Sequence, residues 1–279
     1  MRIISEKTIA DAVADLCRDA NYKIGNDVRK ALKKARQRET SPTGREILDQ
    51  ILKNHEIARL ENLPICQDCG YAVVFLDVGS VVRCKGDIYR AVNAGVGRGY
   101  IRGYLRKSIV ADPLKGENTG DNTPAIIHTT IVPGDRIRIT VAPKGGGSEN
   151  MSGLKMLTPG DGVEGVKKFV IDRIIQAGAN PCPPVIVGVG IGGNFEYAPY
   201  LAKRALLRKI GVRNPDPYYA RFERELLSAI NRTGIGPMGL GGRTTALDVF
   251  IETYPRHLAT LPVAVNLNCH VARHKTAVI

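Results

Sequence analysis

Three of the six cysteines stand where a chain could present a thiol to a metal. They are Cys66 in Pro64-Ile65-Cys66-Gln67-Asp68-Cys69-Gly70, Cys182 in Asn180-Pro181-Cys182-Pro183-Pro184, and Cys269 in Asn266-Leu267-Asn268-Cys269-His270. They lie 116 and 87 residues apart, too far for a zinc finger or a compact ferredoxin. Each sits beside turn-forming or polar residues, as the ends of separate elements brought to one point would. Three thiolates on an iron–sulfur cluster would leave one iron without a protein ligand, and an open iron can bind and polarise a substrate.

Other patterns point to other chemistries. Cys66-x2-Cys69 and His270-x3-His274 contain the ligands of a Cys2His2 zinc site, but some 200 residues separate halves that the motif keeps about a dozen apart. Gly188-Val189-Gly190-Ile191-Gly192-Gly193 matches G-x-G-x-x-G between a predicted strand and a predicted helix. The dinucleotide fingerprint also needs a second strand ending in an acid, and here a helix end and a loop follow. A tight turn whose glycines admit a neighbouring group fits better. Lys144-Gly145-Gly146-Gly147-Ser148-Glu149 reads equally as a nest of N–H groups cradling a carboxylate or as a flexible hairpin tip. Arg98, Arg102 and Arg106 recur every four residues, as a solvated helical face or as a source of one guanidinium for a carboxylate.

The elements that must position these groups read as a mixed α/β, α+β chain of β-sheets flanked by helices. Residues 1–60 are a helical N-terminal region. Ser5 caps a helix carrying Ile9, Val13 and Leu16; Asn26 caps a second to Arg38, with the basic run Lys33-Lys34-Ala35-Arg36; a third runs from Thr43 to Leu60. Further helices are expected over Asp87–Arg106, Val163–Ala177, Phe195–Lys209 and Tyr218–Asn231. Strands are expected over Tyr71–Val78, Ala125–Val132, Arg136–Val141, Pro184–Val189, Leu247–Glu252 and Val263–Leu267. Pro133-Gly134-Asp135 joins two of them, and Gly190–Gly193 should turn from strand into helix. The whole reads as a single domain, 1–279.

Composition narrows the function classes. No apolar stretch is long enough for a transmembrane helix, and the N-terminus lacks the apolar core of a secretory signal. A cytoplasmic location follows, where six cysteines stay reduced or bind metal. The net charge of +13 suits nucleic acid, an anionic substrate or an acidic partner. Aromatic residues at 5%, with no Trp, leave little for stacking on single-stranded nucleic acid, so no nucleic-acid role is expected.

At Cys66-Gln67-Asp68-x-Gly70 the chain resembles the α subunit of two-subunit class I fumarases, the iron–sulfur fumarate hydratases, and the closely similar L-tartrate dehydratases. The likeness continues through Leu105-Arg106-Lys107-Ser108, the Lys144–Glu149 run, the Cys182 turn with the glycines after it, and Asn266–His270. It implies a [4Fe–4S] cluster held by Cys66, Cys182 and Cys269, whose open iron acts as a Lewis acid in the reversible hydration of fumarate to L-malate. It also implies a substrate surrounded by Gln67, Asp68, Arg106, Gly146 or Gly147, and His257, with Asp68 assisting a base carried by a β subunit in an α2β2 assembly. This chain departs from the family's usual Thr at Cys69. A fourth thiolate there could close the cluster and make a four-cysteine redox protein. Cys17 and Cys84 read as core or surface thiols.

Overall fold

Ser5 caps the first helix, its Oγ accepting the Thr8 N–H at 3.2 Å. The computed structural model describes residues 2–279 and is an α+β fold. In chain order its elements are β1 (Arg2–Ser5), α1 (Glu6–Tyr22), α2 (Asn26–Arg38), α3 (Pro42–Glu61), β2 (Tyr71–Gly79), β3 (Val82–Lys85), α4 (Ile88–Arg102), β4 (Ile126–Val132), β5 (Ile137–Lys144) and α5 (Gly146–Asn150). There follow β6 (Gly153–Leu157), α6 (Gly162–Ala177), β7 (Val185–Gly193), α7 (Tyr197–Ala205), α8 (Pro217–Asn231), β8 (Ala246–Arg256), β9 (Leu261–Asn268) and β10 (Lys275–Val278). Two compact units emerge: Met1–Ile24, His55–Gly146 and Arg273–Ile279 form the first, and Gly25–Asn54 with Gly147–Ala272 the second. No helix among the described residues is long and apolar enough to cross a membrane.

In the first unit a four-stranded sheet runs β10-β5-β2-β4, with β5 antiparallel and β4 parallel to β2. The Pro133-Gly134-Asp135 turn therefore joins strands on opposite sides of β2. Alternation decides which residues face this core: Ala72, Val74 and Leu76 of β2 join Ile137, Ile139 and Val141 of β5, while Val73 and Phe75 are buried on the other face of β2 and Arg138 stays exposed. Ile9, Val13 and Leu16 of α1 and Val92, Val96 and Tyr100 of α4 close this core. Helix α4 keeps Gly95 and Gly99 because α1 lies against them. A Cβ on Gly95 would stand 2.7 Å from the Ala10 carbonyl oxygen. The helix ends at Arg102, not at Arg106 as its pattern suggests. Gly103 caps it and Tyr104 takes a left-handed φ of 48°, which turns the chain away. Arg106 thus lies off the helical face that Arg98 and Arg102 share, and Arg98 pairs with Asp11 at 2.7 Å. Strands β1, β3 and β10, too short to leave a sequence pattern, complete this unit.

In the second unit the sheet order is β6-β9-β7-β8. Val185, Val187 and Val189 of β7 pack with Val166, Val170 and Ile174 of α6 and with Phe222, Leu226 and Ile230 of α8. The alternate positions, Gly188 and Gly190, face α7. Added Cβ atoms there would lie 2.1 Å from the Ala202 and Ala198 carbonyl oxygens respectively. The glycine run is therefore strand, not the expected turn, and the helix after it spans only Tyr197–Ala205. Asn26 is the first residue of α2 and Gly25 its cap, again contrary to expectation. Glu223, fully buried on α8, accepts from Arg208 Nη1 at 2.7 Å and from the Ile251 N–H at 2.9 Å, which locks α8 to β8.

Candidate functional site

The Cys66–Gly70 loop joins α3 to β2 inside the first unit, anchored upstream by Ile65 N–H to the Asn21 carbonyl at 2.9 Å. Its side chains alternate in exposure. Cys66 and Asp68 are partly exposed and Gln67 exposed, whereas Cys69 is buried. The Asp68 carboxylate is held by two backbone donors, Gly70 N–H on Oδ1 and Gly146 N–H on Oδ2, both at 2.9 Å. Gly70 has φ +67°, and a Cβ there would meet the Lys144 carbonyl oxygen at 2.5 Å, so only glycine closes this loop against the end of β5.

Three buried side chains hold the loop's own carbonyls. Arg273 Nη2 donates to the Asp68 carbonyl. The Tyr100 hydroxyl donates to those of Cys69 at 2.9 Å and Gly70 at 3.1 Å. Asn122 Nδ2 donates to Gly70 at 3.2 Å while its Oδ1 accepts from the Ser108 N–H. Burial pushes the Tyr100 phenol well above its ordinary range, so it stays a donor. Sequence reasoning missed all three. Tyr100 showed only as an apolar position in helical register, and Asn122 lies in a loop without periodicity. Arg273, four residues past Cys269, was the nearest to legible.

Cys69 is turned into the first unit's core at 2% exposure. Its Sγ accepts the Arg106 N–H at 3.2 Å, and burial pushes its thiol up, against the pull of that N–H. The Arg106 side chain is exposed and carries no partner among the described residues, which leaves its guanidinium open to an anion. Gly146–Asn150 forms a single helical turn, neither linker nor hairpin tip. Its first N–H is already spent on Asp68, and the next, on Gly147, has no partner among the described residues.

The other two thiols belong to the second unit, and its sheet brings them together. Cys182 is separated from the start of β7 only by Pro183-Pro184, and Cys269 directly follows β9. These strands are antiparallel with Ile186 opposite Asn268, so the start of one lies beside the end of the other. The His270 N–H donates to the Cys182 carbonyl at 3.3 Å. Cys182 has φ 54°, a left-handed conformation uncommon outside glycine. Glu149, in the turn after the glycines, accepts from Asn266 Nδ2 at 2.8 Å and pairs with Lys203, tying that turn to β9 and α7.

His257 is not brought to these thiols. It follows β8, and β8 runs parallel to β7 from Ala246 beside Val185 to Arg256 beside Gly193. At ~3.3 Å per residue, His257 stands about 26 Å from the Cys182–Cys269 end of the sheet. It is exposed, with Nδ1 accepting the Ala259 N–H at 3.2 Å. All six cysteines are thiols rather than disulfides. Among the described residues no three His, Cys, Asp or Glu side chains form a ready metal group. The donor set nevertheless suits an iron–sulfur cluster. Cys66, Cys182 and Cys269 are soft ligands at element ends and partly exposed, while Cys17 and Cys69 are sealed in a core.

Known proteins sharpen this picture. The family profile described as fumarate hydratase (Fumerase) matches residues 10–278. A putative L(+)-tartrate dehydratase subunit alpha of Methanocaldococcus jannaschii is 45% identical over 272 residues, 95% of each chain. The L(+)-tartrate dehydratase subunit alpha of Escherichia coli K12 is 35% identical over 274 residues, 97% of this chain and 90% of its own.

Proposed function

The chain belongs to the fumarate hydratase family, and from that premise we propose that it is the α subunit of a two-subunit iron–sulfur hydro-lyase, hydrating fumarate to L-malate in a reducing compartment. The observation that carries the reading is the contrast among the cysteines: Cys66, Cys182 and Cys269 are partly exposed in loops at element ends, Cys84, also partly exposed, lies within β3, and Cys69 is buried with its sulfur on a backbone N–H. That burial weighs against the four-cysteine redox protein, which needs Cys69 beside Cys66 on the cluster.

Cys66, Cys182 and Cys269 hold the [4Fe–4S] group, which when bound supplies a Lewis acid for the hydroxyl that leaves or adds. The rest is done by the chain. Fumarate is a dianion, and the exposed Arg106 guanidinium binds one carboxylate with two parallel N–H bonds. Gln67, beside Cys66 and exposed, and the Gly147 N–H add neutral donors. Asp68, fixed by Gly70 and Gly146, offers a carboxylate of set orientation that assists proton transfer at carbon. The base itself and further cations come from the β subunit. His257 is too far from Cys182 and Cys269 to serve the site of its own chain, so it serves that of a second α subunit in an α2β2 assembly.

A second reading, dehydration of L(+)-tartrate, draws on the names of the relatives. Tartrate carries one more hydroxyl than malate, and a site built to hydrogen-bond it rejects the substrate that lacks it. The test is anaerobic reconstitution of the αβ complex and assay on fumarate, L-malate and L(+)-tartrate. Turnover of fumarate well above tartrate supports the first reading and the reverse order the second. Cys182→Ser should abolish cluster uptake and turnover, whereas Cys69→Ser should keep both. A complex that binds a cluster yet turns over none of the three acids would defeat the proposal.

A further inference from the structure

Arg273 is 6% exposed in the first unit. One of its nitrogens, Nη2, donates to the Asp68 carbonyl; its Nε and Nη1 are buried with no hydrogen-bond partner, and no carboxylate among the described residues pairs with it. Guanidinium does not shed its proton to escape burial. An isolated buried cation costs several kcal/mol unless an anion compensates it, and one neutral carbonyl compensates little. The fold therefore keeps a positive charge, with two donors to spare, on the carbonyl of Asp68, which is two residues along the chain from Cys66.

We propose that Arg273 is the buried counter-charge and positioning residue of the cluster-bearing loop. The inference rests on the iron–sulfur reading above and adds a role to it. Three thiolates make the loaded site net negative, which is the anion the chain itself lacks. The same guanidinium, through the Asp68 carbonyl, fixes the peptide that follows Cys66-Gln67. Charge and position are thus supplied by one side chain, in the manner of outer-sphere groups that tune metal centres without touching the metal.

The αβ complex, loaded anaerobically, is compared as wild type, Arg273→Gln and Arg273→Lys. Three quantities are read: iron and sulfide retained per chain after desalting, the reduction potential followed by electron paramagnetic resonance, and the thermal midpoint of the unloaded complex. Arg273→Gln should hold its cluster about 10- to 100-fold less tightly. Its potential should move to more negative values, because loss of a nearby cation disfavours an added electron. Arg273→Lys keeps the charge but not the fork, so the wild-type potential should return while retention stays below wild type. Should the Gln variant fail to fold, a shifted potential in the Lys variant overturns the proposal. So do a Gln variant equal to wild type in retention and potential, a fall in unloaded midpoint with the potential unmoved (a structural residue only), and a rise in KM alone (a substrate ligand). A wild-type complex that takes up no cluster removes the iron–sulfur reading and this one together; variants that match a loaded wild type remove only this one.

Discussion

Cys66 and Cys69 lie three residues apart, and nothing in their spacing says that one thiol faces outward and the other inward. The difference comes from partners distant in sequence. Cys69 meets the Arg106 N–H and the packed side chains of α1 and α4, and the carbonyls around it are taken by Tyr100, Asn122 and Arg273. Turn residues made the three outlying thiols legible. The buried donors were not, because a hydrophobic register marks a position as interior without saying that its hydroxyl is bonded. Tyr100→Phe is the sharpest single change. It leaves the ring's packing intact and strips a donor from two buried carbonyls, so chemical denaturation should show a loss of about 1–3 kcal/mol. An unchanged midpoint would mean that water replaces the hydroxyl.

Helices α1, α6 and α8 follow their apolar spacing closely, since each buries one stripe on a sheet, whereas in α3 Leu48, Ile51 and Ala58 are buried and Ile57 is exposed. Glycines suggest turns, which is why Gly190–Gly193 read as one, whereas Gly188 and Gly190 are set by the approach of α7 and Gly192 by the Tyr254 carbonyl of β8, and so depend on tertiary packing. Helix α4 overran its true end for a related reason, with Tyr104 reversing the chain where the spacing of arginines continued. Element α3 also carries a pH dependence. Burial pushes His55 from 6.5 down to about 4. Above pH 6.5 it is neutral folded and unfolded, and stability is undiminished. Between 6.5 and 4 only the unfolded chain takes the proton, so stability should fall as pH falls, by at most about 1.4 kcal/mol per pH unit. Urea titrations at pH 7, 5.5 and 4.5 would read this slope, and His55→Gln should flatten it.

At the scale of the molecule, one chain builds two cores and divides the three candidate ligand thiols between them, Cys66 in the first unit and Cys182 and Cys269 in the second. Composition and order of elements revealed the class of fold. The reach of His257 emerged only once the β7 and β8 register placed it at the far end of its sheet. If it serves a neighbouring α subunit, mixing His257→Gln with Cys182→Ser should rescue two inactive variants. Random pairing would restore roughly a quarter of wild-type turnover; no recovery would confine the histidine to its own chain or to no role. The carbonyl clamp on residues 68–70 bears on how the proposed cluster would be taken up. Its donors are side chains of the first unit, not iron, so the loop keeps its shape when empty. Zinc fingers, by contrast, must fold around their metal at each loading. On the proposed cluster reading, the ordering of that loop precedes loading, and a chain that had lost its cluster would be left as a template, ready to be refilled rather than refolded.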